Sequence, residues 1–70
     1  VKQYLEIIEQ LTEEEEFTKQ AQTVRIEIES KQDAIDKLSI YEPYFEGLNY
    51  IKRYHKCYHE EGQPCQIEEL

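Results

Sequence analysis

The sequence predicts an all-α fold: an antiparallel helical hairpin with a short helix before it, assembling into a dimeric helical bundle. Three observations carry this reading. Phe17, Ala21, Val24, Ile28, Ile35 and Leu38 follow one another in steps of four and three, interrupted only at Lys31. That spacing lines one narrow apolar face of an α-helix. Tyr44, Leu48, Ile51, His55 and Tyr58 repeat the rhythm further on. Between the two runs, Ser39 to Pro43 supplies a break short enough to make consecutive helices antiparallel neighbours.

In chain order, Tyr4, Ile8 and Leu11 share a helical face within residues 1–11, with Leu5 and Ile7 widening it. Thr12 followed three residues later by Glu15 is a capping box that opens a new helix, and Glu13 to Glu16 sit where the helix dipole favours anions. The long helix is placed at about residues 13–38, a stretch without Gly or Pro. Lys31 on its seam reads as a side chain whose charge reaches out to water. Pro43 favours the first turn of the second helix, placed at about 43–60, and Gly62 is its natural stop. Gly47 inside that helix would cost about 1 kcal/mol, which suggests close approach of a neighbouring backbone.

Seventy residues make one small domain, residues 1–70, or a fragment of a longer chain. A core of this size rarely supplies more than about 3–5 kcal/mol, so a partner chain, a disulfide or a metal is expected to supplement it. The chain begins at Val1 without the pattern of a signal peptide, and no apolar run approaches the length that spans a bilayer. A soluble protein is expected, with the cytoplasm slightly favoured. The net charge of −8 is concentrated at the ends: residues 1–16 hold one Lys against six Glu, and residues 60–70 hold four Glu and no base. Such a chain repels phosphate backbones, so nucleic acid is not an expected partner.

His55, His59 and Cys65 are the candidate metal ligands, because His55 and His59 share a helix face and Cys65 can return to it past Gly62. Cys57 would point elsewhere on that helix, and the close Cys pair of common zinc sites is missing. No cofactor is therefore expected. A Cys57–Cys65 disulfide is the better use of these thiols, closed by the Gly62-Gln63-Pro64 turn. Tyr50, Tyr54 and Tyr58 form a second stripe, interleaved with Lys52, Arg53 and Lys56. Tyr50, Tyr54 and Arg53 are read as a face that docks on protein, since Tyr and Arg are enriched at interfaces.

Catalysis has little support, since Cys57 would point away from His55 and His59 on a helix. There is no phosphate-binding Gly-rich loop, and the serines lack an acid–base partner nearby in sequence. The expected function is a protein–protein interaction module, an oligomerising scaffold or regulatory adaptor, with Phe17, Ala21, Val24, Ile28, Ile35, Leu38, Tyr44, Leu48, Ile51 and Tyr58 as its seam. The alternatives are a small metal- or redox-sensitive regulator using His55, His59, Cys57 and Cys65, and an acidic inhibitor that mimics nucleic acid.

Overall fold

A computed structural model, describing residues 1–58 and 62–70, corrects the expected fold class. The chain is a four-stranded antiparallel sheet with two short helices, not an all-α hairpin or a coiled coil. The elements are β1 (Lys2–Glu9), α1 (Glu13–Thr18), β2 (Thr23–Ile28), α2 (Lys31–Tyr41), a 3₁₀ turn (Glu42–Phe45), β3 (Tyr50–Cys57) and β4 (Gln66–Glu69).

The correction has a local cause. A step of four residues is even, so it keeps two side chains on one face of a strand as well as on one face of a helix. Val24 to Ile28 is such a step, and Ile26 between them decides the matter. On a helix Ile26 would turn about 200° from Val24 into the polar side; on a strand it joins Val24 and Ile28. The segment Thr-Val-Arg-Ile-Glu-Ile alternates without exception, and it forms β2. In β1, expected to be helical, Leu5 and Ile7 alternate in the same way onto the buried face.

The long helix expected over residues 13–38 is split by this strand. Thr12 does cap a helix: its hydroxyl accepts from the Glu15 amide, and the Glu15 carboxylate accepts from the Thr12 amide. That helix ends after six residues. α2 starts independently, where the Ser30 hydroxyl accepts from the Asp33 amide. Over its described part, residues 43–58, the second expected helix (43–60) survives only as the 3₁₀ turn that carries Pro43 in its first turn. Gly47 lies outside any helix with φ +81°, and a Cβ built there would meet nothing within 4 Å. Its role is the left-handed turn into β3, not close approach.

The strands lie in the order β2-β1-β3-β4, all antiparallel. Leu5 pairs with both Ile26 and Tyr54, and Ile7 with Val24 and Lys52, which sets one continuous face across three strands. Onto that face pack Ala34 and Leu38 of α2 and Phe45 of the 3₁₀ turn. Lys31 at the start of α2 forms an ion pair with Glu68 on β4. At the other end of the helical segment, Gln22 beside β2 donates to the Tyr44 carbonyl. The helical layer thus crosses this face between the two edges. The Cα extents, 40 × 27 × 15 Å, leave room for a sheet and one helical layer.

The expected seam disperses in this architecture. Val24, Ile28, Leu38 and Leu48 do join the core, but through the sheet and not through a helix pair. Phe17 is 90% exposed, Tyr44 69% and Ile35 44%. Ala21 is exposed in the connection before β2, and Ile51 lies on the opposite sheet face.

Candidate functional site

Because side chains alternate along a strand, the face away from α2 collects Tyr4, Glu6 and Ile8 from β1, Arg25 and Glu27 from β2, and Ile51, Arg53, His55 and Cys57 from β3. Ile67 and Glu69 continue it on β4. This is the sheet's open side, and it holds a polar cluster of Glu6, Arg53 and His55.

Glu6 lies at the centre, only 9% exposed. Its Oε1 accepts from Arg53 Nε at 3.1 Å and Nη2 at 2.7 Å, while His55 Nε2 lies 2.9 Å from the same oxygen. An ionised carboxylate only accepts, so the His55 proton facing it resides on Nε2. Burial pushes the Glu6 carboxyl up, but the hydrogen bonds and charges of Arg53 and His55 together hold it below the usual carboxylate range.

A lowered native value means that this contribution to stability is present above the ordinary carboxylate value, 4.5, and is lost as pH falls through the native one. Glu6→Gln should therefore remove part of the acid lability while destabilising the protein at neutral pH by about 1 kcal/mol, since Arg53 remains partly in water. Denaturant melts of both proteins between neutral and acid pH check this. Parallel curves would show that Glu6 ionisation is unlinked to folding.

Beside this cluster, the Arg25 guanidinium lies 4.6 Å from the Tyr4 ring centroid. Cys57 follows His55 by two residues and shares its face, which corrects the helical expectation that the two point apart. The sulfurs of Cys57 and Cys65 are 2.6 Å apart. The neighbouring Cys65 sulfur pushes the Cys57 thiol above its ordinary value, and burial adds to this. Cys57 therefore stays protonated at neutral pH and is a poor nucleophile by itself.

Of the expected metal ligands, His55 is 8% exposed and engaged with Glu6. No group of three metal-ligating side chains occurs among the described residues. His59 lies outside them. The expected docking face of Tyr50, Tyr54 and Arg53 is divided by the sheet. Tyr50 and Tyr54 face the core, their hydroxyls donating to Glu42 and Gln3 respectively, whereas Arg53 points to the open side. Tyr58 follows β3 with the Lys56 ammonium 5.7 Å from its ring centroid.

The second notable feature is the outer edge of β2. The Gln22 carbonyl accepts from the Glu9 amide, in register with the β1–β2 ladder. Backbone groups of alternate residues point to opposite sides of an antiparallel strand. Gln22, Val24, Ile26 and Ile28 therefore turn their N–H and C=O groups toward β1, and Thr23, Arg25 and Glu27 turn theirs outward. Among the described residues, no strand or side chain bonds these outward groups. Sequence reasoning passed over Glu6, Arg25 and Glu27; the alternation over residues 23–28 was the available signal.

Comparison of the chain with known protein families, curated proteins and solved structures finds no match. No helix among the described residues is long and apolar enough to cross a membrane.

Proposed function

We propose that this chain is a protein-interaction module, without enzymatic activity, that works by adding a partner strand to its sheet. The observation that carries the reading is the edge of β2. It is six residues long, regular, rich in β-branched residues and free of proline, and three of its residues turn their N–H and C=O groups outward, available for a ladder. Natural edges are commonly blunted by charge, proline or shortness. β4 fits that description, with four residues of which two are Glu. β2 does not.

A short extended peptide of alternating β-branched and charged residues, titrated into the protein, is the direct test. The expected outcome is slowed hydrogen exchange at the outward amides of Thr23, Arg25 and Glu27. Arg25→Pro removes the central outward donor and leaves the β1 ladder intact, and it should abolish that protection. Protection arising elsewhere, or surviving Arg25→Pro, would overturn the reading.

A redox-sensitive role is the second reading, supported by the 2.6 Å separation of the Cys57 and Cys65 sulfurs across the β3–β4 connection. Here an external disulfide such as oxidised glutathione would accept the two electrons of the two thiols. The product would be a clasp tying β4 to the sheet.

A further inference from the structure

We infer that the strand added at β2 is β2 of a second copy of this chain, in one specific register. The inference rests on the strand-addition reading and names the partner. Antiparallel pairing through N–H···O=C exchange requires outward residues to oppose outward residues. Only Thr23, Arg25 and Glu27 within β2 qualify, so Arg25 can oppose Thr23, Arg25 or Glu27 of the copy, or Glu29 just beyond the strand.

Charge then selects among these registers. Arg25 against Arg25 places like charges directly opposite at the two-fold axis, and Arg25 against Glu29, although it also pairs those charges twice, brings Glu27 onto Glu27 and needs Glu29 backbone groups already bonded to Asp33 and Gln3. Both are unfavourable. Arg25 against Thr23 leaves both Arg25 and Glu27 without an opposite charge across the seam. Arg25 against Glu27 places Ile26 on the axis opposite its own copy and makes the same ion pair twice. Glu27 is exposed and has no ion-pair partner among the described residues, so this register gives it one.

The apolar pattern agrees with the charges. In that register Val24 opposes Ile28 of the copy on the helix-bearing face, and Ile26 opposes Ile26. Val24 and Ile26 are only half-buried within one chain. Pairing outward with outward residues also puts both α2 helices on the same side of the joined sheet. The result is an isologous dimer with one eight-stranded antiparallel sheet and an apolar layer that continues across the seam. The β4 edge lacks this self-complementarity, because Glu68 and Glu69 supply charge of one sign.

Sedimentation equilibrium of the full chain tests the proposal, run at near-physiological salt, which screens the net −8 on each chain. Wild type should show a concentration-dependent monomer–dimer equilibrium. Arg25→Glu makes both cross-seam pairs acidic, and Glu27→Arg makes both basic. Each should raise the dimer dissociation constant about tenfold or more while the circular dichroism spectrum is retained. Mixing the two variants one to one restores both pairs in a heterodimer, as does the double variant R25E/E27R within a homodimer. Recovery of wild-type affinity in the mixture is expected.

A chain that stays monomeric up to millimolar concentration would overturn the proposal. So would a dimer indifferent to both reversals. A monomer whose Thr23, Arg25 and Glu27 amides are still protected by the extended peptide would remove only the second copy as partner. Absence of both behaviours would remove strand addition as well.

Discussion

Phe45→Ala should unfold most of the protein at room temperature, whereas Phe17→Ala should leave its melting curve unchanged. The two phenylalanines differ only in where the fold puts them. Phe45 is fully buried between the sheet and α2, with the Tyr50 ring at 5.4 Å. Emptying such a site costs about 3–5 kcal/mol, comparable to the whole stability expected of a domain this small. Phe17 is 90% exposed on α1, a helix that buries no residue. Substitutions at such positions usually stay within about 0.5 kcal/mol. Thermal melts of the two variants check the result. A helical bundle with Phe17 on its seam would give the reverse ranking.

Closing a Cys57–Cys65 disulfide should raise the melting temperature by about 10–20 °C. The two residues are eight apart in sequence. Cross-linking so short a loop removes unfolded-state entropy worth about 2.5 kcal/mol, and in a domain of this size each kcal/mol shifts the midpoint by about 4–8 °C. The reaction with oxidised glutathione conserves atoms and electrons: the protein S–S bond forms as the glutathione S–S bond breaks, and the two hydrogens of the protein thiols leave on two glutathione thiols. Intact mass before and after oxidation, with melts of each form, gives the result. Cys57→Ser should erase the difference between oxidising and reducing buffers. If oxidation leaves the midpoint where it was, β4 is not held to the sheet by this pair. The raised Cys57 value makes the exchange slow near neutral pH and faster in mild alkali, as the thiolate fraction grows.

Some of this protein was legible before any tertiary structure. Thr12 and Glu15 signal a helix start through groups three residues apart, and a helix does start there. Pro43 signals a first helical turn, and it stands in the first turn of the 3₁₀ segment. These features need only a few neighbouring residues to take effect. The concentration of acid at the two ends was equally readable, since charge is counted directly from composition.

What the chain determined by itself was therefore its local punctuation and its charge. Over residues 23–28 the strict alternation through Ile26 was readable as well, but elsewhere the period that governs the apolar residues between those marks was decided only in three dimensions. Tyr50 and Tyr54 stand four apart and satisfy a helix and a strand equally. The choice falls to the strand because β1 offers Leu5 and Ile7 to both β2 and β3, and those pairings join residues as far apart as Leu5 and Tyr54. The same long-range register brings Glu6, Arg53 and His55 to one carboxylate oxygen and leaves Arg25 and Glu27 on an open edge. Contacts between distant residues leave little trace in local spacing, because an isolated strand gains nothing until its neighbours are in place.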